Sequence, residues 1–163
     1  MHTSSFILFF GLLASVVSAV TLYRGDTRGP RQIKDAGGFK SRADHDRAEG
    51  TLFEHISYTL KYPMRSRYIS TSIDINEARA KSNFKYVYTI NSDEIEEEIW
   101  DVAAEYEKAG KTYPHPHEKE FAVEYHIPWE AITKVEKYSD GEWKAIRFSK
   151  RGVELFEENV SVD

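Results

Sequence analysis

Pro114-His115-Pro116-His117-Glu118-Lys119-Glu120, running on into Phe121-Ala122-Val123-Glu124-Tyr125, is the segment around which the fold is built. From Lys119 the residues alternate and turn apolar and aromatic, which predicts a short strand fed by a Pro- and His-rich loop. Residues two apart on a strand share a face, so Glu118 and Glu120 are expected to point the same way, roughly 7 Å apart. Adjacent carboxylates repel one another. An edge strand in water accommodates them, and a lone Glu-x-Glu reads first as such a solvated pair. His115 and His117 beside Glu118 suggest metal ligands, but alternation with proline converges them poorly. With no cysteine and no distant partner motif, no zinc site is expected.

Upstream, Arg67 to Ser72 forms a second candidate strand ending in Ser70-Thr71-Ser72. Asp74 then caps a helix, with Glu77 as the returning half of a capping box. Hydroxyls at a strand's end are commonly turn caps; here they also offer a row of short donors able to hold a carboxylate or a ribose. Further upstream, Val20-Thr21-Leu22-Tyr23-Arg24 reads as a strand ending on arginine, with Gly25-Asp26 at once behind it. A planar, permanently charged guanidinium next to a glycine suits a phosphate, the glycine letting a ligand approach the backbone. A surface arginine paired with Asp26 fits the same residues.

Between these marks, Pro30 and Gly37-Gly38 bound a short helix over 30–36. Residues 43–61 read as a helix with Leu52, Ile56, Tyr58 and Leu60 as core and His45 and His55 as polar interruptions, ended by Pro63. Phe84 to Ile90 is a third strand. Ser92 with Asp93 and Glu94 then opens a helix whose buried stripe is Ile95, Ile99, Val102, Ala103 and Tyr106, closed by Gly110. The acidic run 94–98 is its wet face. Downstream, Pro128-Trp129 turns a corner into a hairpin, 132–138 and 142–148, joined by Asp140-Gly141.

The two ends are read as processing and tail. Residues 1–19 carry no acidic or basic residue, and Phe6 to Val17 is nearly all apolar, ending in Val17-Ser18-Ala19. A cleaved secretory signal fits, since the run is about half the ~20 residues a membrane span needs. Residues 149–163 are an acidic tail holding a glycosylation pattern at Asn159-Val160-Ser161. The mature chain, 144 residues, suffices for one domain. Its 22 basic against 27 acidic residues, net −5, argue against general nucleic-acid or anionic-membrane binding. With no cysteine it depends on its core rather than on disulfides.

Strand-end arginine, Ser-Thr-Ser strand and Glu-x-Glu strand stand in a fixed order. The chain resembles the A subunits of cholera toxin and heat-labile enterotoxin, and more closely the enterotoxin-like proteins predicted in fungal secretomes. The resemblance lies in Leu22-Tyr23-Arg24-Gly25-Asp26-Thr27-Arg28, Ile33-Lys34-Asp35-Ala36-Gly37-Gly38, Tyr68-Ile69-Ser70-Thr71-Ser72-Ile73 and His115-Pro116-His117-Glu118-Lys119-Glu120, with Ile127-Pro128 following.

That resemblance implies a mono-ADP-ribosyltransferase of α+β fold. Two small, mainly antiparallel sheets with flanking helices pack steeply, and NAD⁺, the co-substrate, lies in the cleft between them. It implies that Arg24 holds the pyrophosphate and structures the site, and that backbone groups near Gly25 meet the nicotinamide amide. Ser70 bonds the ribose and orients Glu120, with Thr71 and Ser72 building the strand around it. Glu120 is the catalytic glutamate, Glu118 engages the acceptor, and His55 and Asp26 lie at the cleft. Relatives acting on other acceptors, DNA bases among them, tend to carry glutamine at the first position, so Glu118 favours an arginine acceptor.

The residue types suit that chemistry. Breaking the nicotinamide–ribose bond builds positive charge on the sugar, which an ionised Glu120 stabilises. The attacking arginine is cationic and needs a second carboxylate to orient it and take its proton. Repulsion between the two acids is expected to raise the pKa of one. Without a cysteine, a threading tail or a terminal Lys-Asp-Glu-Leu signal, no delivery subunit is inferred. Simple NAD hydrolysis, a degenerate binding protein and, more weakly, a conventional glycosidase are the other readings.

Overall fold

β1, Thr21–Asp26, carries Leu22 wholly buried, and six of its residues pair antiparallel with β4, Tyr86–Asn91. The computed structural model describes residues 19–83 and 85–146. The proposed signal 1–19, all but its last residue, and the tail 149–163 with Asn159 lie outside the described residues. α1, Pro30–Asp35, starts on proline as expected and buries Ile33 under the sheet. β2, Gly38–Lys40, pairs with β7, His126–Pro128, as a separate two-stranded ribbon.

The large sheet runs β5-β6-β3-β1-β4-β8-β9. β3 is Tyr68–Ser72, β5 Ile99–Asp101, β6 Glu120–Glu124, β8 Ile132–Ser139 and β9 Glu142–Ile146. β8 and β9 form the expected hairpin, Asp140 and Gly141 both with positive φ (54° and 86°), as a tight primed turn requires. All neighbouring strands are antiparallel. The sheet nearly parts in the middle. β1 and β3 share one register pair, Tyr23↔Ser72, whereas β3 and β6 share five. The expected two sheets are thus two halves of one sheet, and their parting line makes room for a cleft.

β6 is buried on both faces. Val123 joins Leu22, Phe39, Tyr88 and Ile127 in the main core, while Ala122 joins Leu52, Ile56, Val102 and Tyr106 in a second cluster. Residues two apart on a strand share a face, so Glu120 lies on the side of Ala122, toward the second cluster.

Two expected helices are largely absent. In 43–61 only a 3₁₀ turn, His45–Arg47, and one short helix, α2 (Leu52–Ile56), form. Thr51 and Glu54 cap α2 reciprocally; Gly50 before it has positive φ (82°), and Tyr58 just after it turns left-handed (φ 55°). Leu52 and Ile56 are buried as expected, but Tyr58 is 71% exposed. In 92–110, a 3₁₀ turn at Ser92–Glu94 is followed by β5, and α4 (Val102–Lys108) begins only where Asp101 caps Ala104 N, 3.1 Å. The predicted stripe splits between two cores: Ile95 and Ile99 pack on the main one, Val102 and Tyr106 on the second, while Ala103, expected in the stripe, is exposed.

Candidate active site

The parting line between β1 and β3 opens into a cleft with two lobes. One, about 260 Å³, is lined by Arg24, Gly25, Ser70, Lys81, Glu118 and Glu120 among others; Glu77, Thr71 and Ser72 also reach it. The other, about 240 Å³, is lined by Arg24, Lys40, Arg42, His55, Ser66 and Ser70 among others. Arg24, Ser70 and Tyr58 belong to both and form the neck.

Arg24 reaches across the parting line. Its Nη1 donates to the Ser70 carbonyl (2.6 Å), its guanidinium lies 5.1 Å from the Phe39 ring centroid, and Nη2 stands 3.7 Å from Asp26 Oδ2. The arginine thus ties β1 to β3 where backbone pairing fails. Burial pulls its pKa below the ordinary value, and Asp26 opposes this. Asp26 is gripped by Arg28, whose Nε and Nη2 donate to Oδ1 and Oδ2 (2.9 and 2.7 Å). Burial works to raise the Asp26 pKa, but the Arg28 bonds outweigh it and hold the carboxyl below the usual range.

Glu120 is 6% exposed, and its pKa is pushed up to about 7. Burial is the main cause; the Ser70 hydroxyl pulls the value back, and Glu118 adds to the rise. The mutual repulsion expected from sequence is therefore real but secondary. His55 lines the other lobe. Its Nε2 is 3.1 Å from Ser70 Oγ and its Nδ1 2.8 Å from Ser66 Oγ. Burial, with the charges of Arg42 and Arg24, lowers its pKa to about 4, so the ring is neutral near pH 7.

Glu118 and Glu120 share the lobe, though not by strand alternation. Glu118 ends a 3₁₀ turn (Pro116–Glu118), and Lys119 turns left-handed (φ 44°) before β6 begins at Glu120. The Ser72 hydroxyl fixes that turn by donating to the Glu118 carbonyl (2.7 Å), while Thr71 Oγ1 donates to the Phe121 carbonyl (2.7 Å). Of the expected hydroxyl row, Ser70 alone is bonded toward the cleft; Thr71 and Ser72 build the strands around it.

Gly25 has a packing role beside the one expected from sequence. A Cβ there would collide with the Ala78 carbonyl of α3 (Ile75–Lys81) and lie 2.6 Å from the N of Ser82, which caps that helix. The glycine is needed so that β1 can rest on a helix, and its backbone lines the lobe as a consequence. Sequence reading missed Lys81, whose Nζ is 2.6 Å from Glu118 Oε1, and Arg42, whose charge bears on His55 and Arg24. Each is a lone cation outside any motif, so only the fold discloses it. His115 and His117 stand 6.4 Å apart, ring to ring, and among the described residues no metal-capable cluster of three forms.

Split sheet, flanking helices and two-lobed cleft define a class: the α+β fold of the ADP-ribosyltransferase toxins. A guanine-specific ADP-ribosyltransferase superposes with a TM-score of 0.57 at 22% identity, covering 78% of this chain and 72% of that one. Scabin toxin from Streptomyces scabies in complex with NADH gives 0.55 at 22%, covering 78% and 74%. An arginine-to-lysine mutant of heat-labile enterotoxin gives 0.56 at 26%, covering 76% and 70%.

The family itself is shown by sequence. The model of the heat-labile enterotoxin alpha chain matches residues 3–152, and the chain belongs to that family. The A chain of heat-labile enterotoxin IIA from Escherichia coli is 30% identical, over 77% of this chain and 52% of its own length. The chain thus spans about half of that relative. Among the described residues, no helix is long and apolar enough to cross a membrane.

Proposed function

We propose that the chain is a secreted mono-ADP-ribosyltransferase of the fungal enterotoxin-like branch, using NAD⁺ to modify an arginine on a target protein as a toxin or effector. Residues 20–148 are its catalytic domain. The observation that carries this is the meeting of Arg24, Ser70 and Glu120, from three strands, at one cleft.

The residues present fit NAD⁺. Among the described residues, Arg24 Nε and Glu120 Oε1 are buried without hydrogen-bond partners, a donor and an acceptor lining one cleft. Arg24, Lys40 and Arg42 would face the pyrophosphate, Ser70 and Glu120 the nicotinamide ribose, and the backbone at Gly25 the carboxamide. NAD⁺ supplies a nicotinamide–ribose bond whose cleavage leaves positive charge on the sugar. Glu120, ionised above pH about 7, sets a negative charge beside it, and neutral His55 holds the Ser70 hydroxyl in place. Glu118 orients the acceptor and takes its proton.

Incubating purified 20–163 with labelled NAD⁺, a lysate and, separately, the guanidino acceptor agmatine tests this. Labelled protein and nicotinamide release are expected from the parent, and a loss of about 10³-fold in both from Glu120→Gln. Glu118→Gln is expected to lose transfer while keeping some hydrolysis. Equal labelling by Glu120→Gln removes that residue from its role. NAD hydrolysis with water as acceptor is the second reading, favoured by the ion pair that already engages Glu118; release without transfer to agmatine selects it.

A further inference from the structure

The lobe that holds Glu120 is acidic, with Glu77, Glu118 and Glu120 on its walls. Arg24 closes one end of it, and a flexible cation sits among the carboxylates. Lys81, the last residue of α3, reaches in and puts its Nζ 2.6 Å from Glu118 Oε1. Its side chain is 52% exposed while that of Glu118 is 12% exposed, so the mobile partner is the lysine. The ammonium also bears on Glu120 and on the hydroxyl of Tyr58 at the neck.

Lys81 has a second carboxylate within reach of its own helix. Glu77 lies four residues earlier, on the same face, in the favourable order for an acid–base pair. Glu77 makes no ion pair among the described residues and lines the same lobe. Glu77, on which Lys119 also bears, thus gives Lys81 a second carboxylate when it leaves the half-buried Glu118.

We infer that Lys81 is a specificity-determining residue that occupies the acceptor's place. Its ammonium sits on Glu118 where the guanidinium of the target must dock, so only an acceptor able to displace it is modified. This rests on the arginine-directed activity proposed above. In that reaction the C1′–nicotinamide bond breaks, its electron pair leaving with neutral nicotinamide. A guanidinium Nη forms the new bond to C1′ and gives one proton to Glu118. Glu118 can do neither task while Lys81 holds it. Planar guanidinium can bond a carboxylate through two N–H groups where ammonium acts as a point charge, so arginine outcompetes lysine at this seat.

Two measurements on 20–163 test the inference, using Lys81→Met, which keeps the apolar stem, and Lys81→Arg, which keeps a cation. The first needs no NAD⁺: agmatine is titrated into the protein in the millimolar range and followed by NMR. Met is expected to tighten binding about 3-fold, and Arg to leave it at the parent level or weaker. The second is the ratio of agmatine transfer to NAD hydrolysis at subsaturating agmatine, which cancels any effect of Lys81 on Glu120. Met is expected to raise the ratio about 3-fold. Unchanged or weaker agmatine binding by Lys81→Met overturns the inference even where NAD⁺ is cleaved normally. Failure of the parent to cleave NAD⁺ overturns the proposed function instead, and tighter agmatine binding by Lys81→Met still upholds the seat.

Discussion

The two lobes of the cleft share a neck and little else. One carries Glu77, Glu118 and Glu120 against Lys81; the other carries Lys40, Arg42 and His55, with Arg24 common to both. Burial acts on both in the same physical sense, disfavouring charge, and so moves their groups in opposite directions: Glu120 up to about 7, His55 down to about 4. An anionic pyrophosphate suits the basic lobe, and a positive sugar with a guanidinium acceptor suits the acidic one. In the proposed reaction such polarity would orient the dinucleotide before any specific contact is made.

The comparison breaks most severely at Gly25, which lets β1 lie on α3 beneath the acidic lobe alone. Gly25→Ala forces a methyl against the backbone of Ala78 and Ser82, which has no side-chain freedom with which to yield. A loss of about 3 kcal/mol is expected from thermal or denaturant unfolding. An unchanged midpoint means that α3 can move away, and that the two lobes are less firmly separated than the fold suggests.

Arg42 sharpens the same contrast from the basic side. It is exposed, and among the described residues it has no counter-ion, yet its charge bears on His55 and Arg24. Arg42→Gln is expected to raise KM for NAD⁺ about 10-fold, with a smaller change in kcat and a weaker salt dependence. A fall in kcat with KM unaltered would assign Arg42 to the chemistry instead of to binding.

How much of this was legible in the sequence follows from how local each feature is. Arg24, Ser70 and Glu120 sit in motifs whose residue types and order survive without knowledge of pairing. The Asp140-Gly141 hairpin, the Asp74 cap and the proline start at Pro30 are equally local, though the expected box does not close: Asp74 N donates to Ser72 Oγ rather than to Glu77. What failed was tertiary. Residues 94–101 have helical periodicity, but Ile99–Asp101 find a partner in β6 and become a strand. Glu118 has the spacing of a strand neighbour, yet the left-handed turn at Lys119 breaks the alternation and still delivers it to the same lobe. Lys81 and Arg42 carry no motif, and each acquires meaning only from what the other strands place opposite it.

The smallest effect is one that the intact protein nearly conceals. Glu120 binds its proton more tightly when folded, so its contribution to stability is full below pH 4.5 and is lost as pH rises toward about 7. His55 has the opposite sense: its folded pKa of about 4 lies below the ordinary 6.5, so stability is lost as pH falls through that interval. Between pH 4.5 and 6.5 the two slopes cancel, and the parent's unfolding free energy is expected to be nearly flat from this pair. Glu120→Gln leaves the histidine alone, and stability should then rise with pH from about 4 to 6.5, by about 1.4 kcal/mol per unit. His55→Gln leaves the glutamate alone, and stability should fall with pH from 4.5 to about 7 at a similar slope. Denaturant midpoints measured across that window for the parent and both variants decide the matter. Should the two variants tilt the same way, burial is not what sets these groups apart, and the opposed character of the lobes must come from their neighbouring charges.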